Sequence, residues 1–265
     1  MYSAVQLAFK YISYYLAAAN GKGHGVHSPF VFDFITNVKN DKRHFYAYDT
    51  VEKVRSSMLY TDQLLTIEDF GAGSTVTKSN RRRVRDIARS ALKPKKFGQL
   101  MFRMVDHYSA NTIVELGTSL GITTSYLASA NLKGKVYTFE GAHEVAKVAQ
   151  HNFAKQQLTN IELIEGNFDD TLPSQLRRID NVDFAFVDGN HRKEPTLKYF
   201  EQLLKKANET SVFIFDDIHW SKGMEDAWEH IKAHAQVTLT IDLFFIGLVF
   251  FRKEQKIKQH FSVRF

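Results

Sequence analysis

The sequence predicts an α/β fold: a mostly parallel sheet with helices on both faces, preceded by a helical extension. Three observations carry this reading. From residue 97 onward, short β-branched or aromatic runs alternate with stretches of helical spacing, as parallel strands joined by crossover helices do. Near the end, "QVTLTIDL" and "FIGLVFFRK" leave no room for a helix between them, so these two strands must pair antiparallel. Up to about Lys96 the chain reads instead as helices joined by polar turns, with Pro94 among lysines at the boundary. The expected division is a helical cap over 1–96 and an α/β domain over 97–265.

The opening "MYSAVQLAFKYISYYLAAAN" reads as an amphipathic helix. It lacks the basic start of a signal peptide, and Lys10 and several tyrosines interrupt its apolar run. "HSPFVFDFITNVKND" offers Ser28 as an N-cap and Pro29 at the first helical position. "YDTVEKVRSSMLY" and "RRRVRDIARSALK" continue the helical pattern, and the basic cluster at 81–85 reads as a solvated helix face. "NTIVEL", "KVYTFE", "IELIEG", "VDFAFVDG" and "SVFIFDD" are then the parallel strands, and the terminal pair brings the sheet to seven. "TSYLASANL", "HEVAKVAQHNFAKQQ", "LPSQLRRI" and "TLKYFEQLLKKA" are the crossovers between them.

Composition narrows the function classes. The chain has 265 residues, 44% of them hydrophobic, enough for a substantial core. Its net charge of +6 is spread along the chain, which argues against a nucleic-acid footprint. The absence of cysteine excludes disulfides, a thiolate nucleophile and cysteine-ligated zinc. "FFIGLVFF" is too short to span a bilayer and reads as a buried strand. A soluble, cytoplasmic protein is expected, with no membrane partner.

Two glycine loops compete for the role of nucleotide loop, "DFGAGS" at 69–74 and "IVELGTSLGITT" at 113–124. Such a loop needs a strand before it, a helix starting at it, and an acid at the tip of the next strand for ribose hydroxyls. The second loop meets all three conditions, with Gly117 and Gly121 in the turn and Glu140 at the end of "KVYTFE". The first is followed by no strand and no such acid, and reads as a substrate-side turn. Two further strand tips carry acids: Asp188 after "VDFAFV", and Asp216 with Asp217 after "SVFIF". Three carboxylates at one rim repel one another unless a cation or donors compensate, and a hard divalent ion with oxygen ligands answers that need. Without an ion, Asp188 would orient the cofactor and one of the pair would cap the next helix.

With these landmarks in order, Glu115-Leu116-Gly117-Thr118-Ser119-Leu120-Gly121 resembles the E-L-G-x-x-x-G loop of class I S-adenosylmethionine (SAM)-dependent methyltransferases. The likeness is to the catechol-type and cephalosporin-hydroxylase-like branch, and it covers roughly residues 97–251. It implies a Rossmann-like sheet, SAM as cofactor, a small-molecule acceptor and O-methylation. It also implies Mg2+ or another divalent cation on Asp188, Asp216 and Asp217. Catechol-type enzymes carry Asp-Asn at the second tip, whereas the Asp-Asp here is similar to the all-acid set of the other branch. The resemblance places Glu115, Gly117, Thr118, Ser119, Gly121 and Thr123 around the cofactor, with Glu140 on its ribose. Asn167, Phe168 and Asp169 fall beside the adenine and Asp188 near the methionine end. His191 stands where catechol-type enzymes have a lysine thought to take the acceptor proton, and an imidazole suits that task near neutral pH.

His219 and Trp220 are expected to line the acceptor pocket, or Trp220 to anchor the following helix. His24 and His27 read as part of a turn rather than a metal site. Related enzymes being dimers, a homodimer is the oligomer to expect. Competing readings are an RNA methyltransferase, a non-catalytic SAM-binding protein and a nicotinamide-dependent dehydrogenase. The terminal hairpin and the G-x-x-x-G spacing disfavour the last.

Overall fold

In the computed structural model the described residues are 1–23, 26–67 and 81–265. The chain divides into two compact units, Met1–Asp41 with Asn181–Phe265, and Lys42–Asp180. The "DFGAGS" turn and His24 lie outside the described residues, while His27 is exposed.

The first unit opens with α1 (Ala4–Ala17), started by a reciprocal capping box between Ser3 and Gln6. In α2 (Pro29–Asp33), Ser28 accepts from the Val31 N–H and Pro29 occupies the first turn, as expected. The helix runs on into a π-helical turn, Phe34–Lys39, that buries Phe34, Ile35 and Val38.

The second unit begins with α3 (Tyr46–Met58), followed by a short antiparallel pair, β1 (Leu64–Thr66) and β2 (Arg81–Arg83). The arginine cluster therefore does not lie on a helix face as expected. Its first three residues form a strand, and α4 (Val84–Ser90) starts only where buried Val84, Ile87 and Ala88 set a helical period. Asp62 holds Arg83 and Arg85 across the turn. After α5 (Lys95–His107) come β3 (Thr112–Leu116), α6 (Ile122–Ala130), β4 (Lys135–Glu140), α7 (His143–Lys155), β5 (Ile161–Glu165) and α8 (Phe168–Leu176). The three strands are parallel, β3 to β4 and β4 to β5.

The chain then returns to the first unit with β6 (Phe184–Val187), α9 (Lys193–Leu204), β7 (Val212–Asp216), α10 (Lys222–Ala233), β8 (Leu239–Asp242) and β9 (Ile246–Phe250). Every residue of β6 and β7 is buried, as expected of parallel strands covered on both faces. The terminal strands β8 and β9 pair antiparallel, and β9 pairs antiparallel with β7. Trp228, rather than Trp220, anchors α10: it packs so tightly on β9 that a Cβ at Gly247 would lie 2.6 Å from its indole.

The expected seven strands are joined by an eighth, β10 (Gln259–Ser262), parallel to β8. In the first unit the strands lie in the order β10-β8-β9-β7-β6, and in the second in the order β3-β4-β5. The segment that makes β10 is short and polar at three of its four residues, so its strand character comes from the edge it pairs with. Among the described residues, no helix is long and apolar enough to cross a membrane.

Candidate active site

In the second unit the chain leaves β3 through Gly117, Ser119 and Gly121, all in the left-handed region at φ 102, 49 and 80°. Those conformations turn the chain straight into the first turn of α6. A Cβ at Gly121 would sit 2.5 Å from the Phe153 ring of α7, so only glycine lets the two helices approach here. The N–H groups of Gly117 and Thr118 both donate to the Phe139 carbonyl, at 3.0 Å each, which ties the loop to β4.

Two acids hold this loop from different depths. Glu115 is 0% exposed and accepts from the hydroxyls of Thr124 on α6 and Thr138 on β4, the latter at 2.7 Å. Thr138 is also its cross-strand partner, and shares a 2.6 Å hydrogen bond with Thr118. Glu115 thus positions the loop from beneath. Thr124 and Thr138 were not expected as site residues, whereas Thr123 is half-buried beside Thr124. A glutamate inside an apolar strand was the signal that could have found them, since a buried carboxylate requires donors. Glu140, at the tip of β4, accepts from the Ser119 N–H at 2.8 Å and the Ala142 N–H at 2.9 Å.

At the next tip, Asn167 caps α8 by accepting from the Asp169 N–H at 3.0 Å. Phe168 is half-buried, its ring edge-on to Phe139 at 6.4 Å between centroids, and Asp169 is exposed. Helix α8 starts at Phe168, earlier than "LPSQLRRI" suggested, because Asn167 supplies the cap.

In the first unit, β6 ends at Val187 and is followed by Asp188, with Asn190 and His191 left-handed at φ 70 and 37°. Strand β7 ends at Asp216, 1% exposed, and Asp217 is left-handed at φ 52° with its N–H donating to the Phe245 carbonyl at 2.7 Å. These turns bring one ligand atom each of Asp188, His191 and Asp216 within 4.8 Å of one another. His191 takes the place expected for Asp217 in that group, and the Asp217 carboxylate lies 3.9 Å from His191 Nδ1. His191 Nε2 is 3.5 Å from Asp188 Oδ1. Neither of the Asp216–Asp217 pair caps α10, because Ser221 does so, accepting from the Met224 N–H.

His219 does not join this cluster. Its ring is stacked on Phe244 and held at both nitrogens, by Asp242 at 2.8 Å and Glu225 at 3.2 Å. Burial alone would lower its pKa, but the hydrogen bond and charge of Asp242, then those of Glu225, raise it above the ordinary histidine value. Glu225 is opposed by burial in the same way, yet its bonds from Lys10, Tyr2 and His219 hold it below the ordinary carboxylate value.

Residues 114–218, from β3 to just past β7, match a family model described as a methyltransferase domain. Over that stretch the chain is similar to a methyltransferase domain. The matched stretch contains the glycine loop, Glu140, Asn167 to Asp169 and the acidic strand tips. Solved structures similar to it include an O-methyltransferase from Bacillus cereus in complex with SAH, at 21% identity and TM-score 0.56, covering 79% of this chain and 92% of that one. The O-methyltransferase TomG from Streptomyces achromogenes, in complex with SAM, shares 17% identity at TM-score 0.57, covering 84% and 95%. The SAH-bound methyltransferase PaMTH1 from Podospora anserina shares 12% at TM-score 0.59, covering 96% and 98%. At such identities the likeness establishes the fold. None of the curated proteins matches the chain.

Proposed function

We propose that this chain is a SAM-dependent methyltransferase that transfers the methyl group of SAM to an oxygen of a small-molecule acceptor, with a divalent cation at the acidic strand tips. The observation that carries the reading is the gathering of Asp188, His191 and Asp216 within ligand distance, in a matched stretch of sequence that also carries the glycine loop and Glu140. When bound, SAM supplies an electrophilic sulfonium methyl group. The left-handed turn at Gly117–Gly121 lets a ligand approach the backbone, and the start of α6 offers N–H groups to it. Glu140 would accept from the ribose hydroxyls, and Asn167, Phe168 and Asp169 would flank the adenine.

Asp188 and Asp216 would hold the cation. Two carboxylates suit a hard divalent ion, Mg2+ first, which would lower the acceptor hydroxyl's pKa and fix its direction. His191 takes the acceptor proton at Nε2, while Asp217, 3.9 Å from Nδ1, steadies the charged ring that results. Holding acceptor and methyl in line adds an orientational gain that reaches about 7–11 kcal/mol in well-aligned systems.

Labelled methyl transfer from SAM to a panel of vicinal dihydroxyphenols tests this reading. Turnover that falls on chelation and returns with Mg2+ is expected. Turnover indifferent to chelator would remove the cation, and no transfer to oxygen acceptors from a protein that binds SAM would remove O-methylation.

A further inference from the structure

Helix α7 meets the glycine loop through polar side chains that the sites described above do not use. Asn152 is 2% exposed, and its amide nitrogen donates to the Leu120 carbonyl at 3.0 Å and to the Met58 sulfur, at the end of α3, also at 3.0 Å. Leu120 precedes Gly121, the N-cap of α6, so its carbonyl lies outside the hydrogen-bond ladder of that helix. Among the described residues, no backbone N–H donates to it. The peptide group between Leu120 and Gly121 is therefore held at both ends, its C=O by Asn152 and its N–H by the Thr118 carbonyl at 2.9 Å. At the C-cap of α7, Gln156 donates to the Ser125 hydroxyl at 2.8 Å, which in turn donates to the Gly121 carbonyl at 2.7 Å. Consecutive carbonyls of the loop are thus fixed from one helix, Leu120 directly and Gly121 through Ser125.

From this geometry we infer that Asn152 and Gln156 are positioning residues for the cofactor, a polar clamp that sets the pitch of the turn from Thr118 to Gly121. The inference rests on the proposed SAM cradle. The turn holds Ser119 and Gly121 left-handed, and the Ser119 N–H reaches Glu140 at 2.8 Å only while that turn keeps its pitch. Both N–H groups of the Asn152 amide are used, one on the loop and one on α3, whose Met58 shares an apolar cluster with Leu120 and Ile122. An apolar side chain at position 152 would leave the Leu120 carbonyl buried without a donor. The turn would relieve that by rotating the peptide, which swings the Ser119 N–H away from Glu140 and spoils the edge offered to the ribose.

Calorimetric titration of SAH into the full-length protein tests the clamp. Asn152→Leu should weaken SAH binding about tenfold or more, and Gln156→Leu, which removes the indirect arm, about threefold. The comparison is Asn160→Leu. Asn160 bonds the carbonyls of Ala128, Asn131 and Gly134, at and beyond the far end of α6, at 3.0 to 3.2 Å. Its loss should lower the thermal midpoint at least as much as that of Asn152 while leaving SAH affinity unchanged. Asn152→Asp reads the donor itself, because a neutral acid can donate to the Leu120 carbonyl and a carboxylate cannot. The groups bonded to Asn152, the Leu120 carbonyl, the Met58 sulfur and the Gln156 amide, are all uncharged, and its helix neighbours His151 and Lys155 are exposed. Relative to wild type, SAH affinity of Asn152→Asp should therefore recover as pH falls from about 9 to about 5.5, whereas Asn152→Leu should stay equally weak. A wild-type protein that takes up no SAH would remove the cradle itself. With wild-type uptake intact, unchanged SAH affinity in Asn152→Leu, a drop matched by Asn160→Leu, or an Asn152→Asp variant indifferent to pH would overturn the clamp.

Discussion

The glycine loop of the second unit and the acidic strand tips of the first are both built from turns at the carboxyl ends of parallel strands, yet they are wired differently. In the loop, each acid binds donors of the loop's own surroundings: Glu115 has two threonine hydroxyls, and Glu140 has the N–H groups of Ser119 and Ala142. At the strand tips, His191 lies 3.5 Å from Asp188 and 3.9 Å from Asp217, distances beyond ordinary hydrogen bonding. Left-handed backbone at Asn190, His191 and Asp217 keeps these groups turned toward one another. The tips differ in gathering two carboxylates and an imidazole within ligand distance. Both regions hold non-glycine residues in left-handed backbone, Ser119 in the loop and Asn190, His191 and Asp217 at the tips, a conformation that costs on the order of 1–3 kcal/mol per strained residue. Conformations of that kind cluster where ligands act.

The sharpest way to break this comparison is to remove an acid from each side and ask what is lost. Asp216→Ala should lower kcat by about a thousandfold, the scale of several kcal/mol of electrostatic stabilisation, while affinity for SAH changes by less than about threefold. Equal loss of both quantities would mean that the tips are part of the cofactor cradle. Glu140→Ala should do the reverse: SAH binding should weaken by about ten- to a hundredfold, the loss of one or two charge-assisted hydrogen bonds.

Smaller effects separate the loop's shape from its contacts. Gly121→Ala would force a methyl group against the Phe153 ring at a positive φ, which should cost about 1–3 kcal/mol in denaturant unfolding. Glu115→Gln should weaken SAH binding only modestly but lower the thermal midpoint, because this acid supports the loop without standing at its surface. If Glu115→Gln weakens SAH binding as much as Glu140→Ala does, the distinction between supporting and contacting acids fails.

The mildest effect lies away from both regions. The pKa of His219 is raised, so its stabilising contribution is whole below its ordinary value of 6.5 and fades as pH climbs through the raised one. Glu225 is depressed, so its share is present above 4.5 and is lost as pH falls through its lowered value. The thermal midpoints of wild type and His219→Gln should therefore differ most between those values and converge in alkali. A gap that widens above neutral pH would contradict the bridging role of the ring.

Much of this architecture is legible in the sequence. The seven strands come from apolar runs and their spacing, and the start of α2 from Ser28 and Pro29. The choice between glycine loops rests on Glu140, because only the loop at Gly117–Gly121 is succeeded by a strand with an acid at its tip. Pattern could not reach the direction of a side chain after a left-handed residue, which is why His191 rather than Asp217 completes the gathered set. Nor could it reach partners far along the chain, such as Asp242, which draws His219 away from the acidic tips. The strands at Arg81–Arg83 and Gln259–Ser262 were missed for a related reason: their pairing edges, not their own residues, make them strands.

Calorimetric titration of SAH into the wild-type protein and Glu140→Ala tests the central claim most directly. One site per chain is expected in the wild type, with at least about tenfold weaker binding in the variant. A wild-type protein that takes up no SAH, or a variant that binds it unchanged, would contradict the cofactor cradle on which the proposed reaction stands.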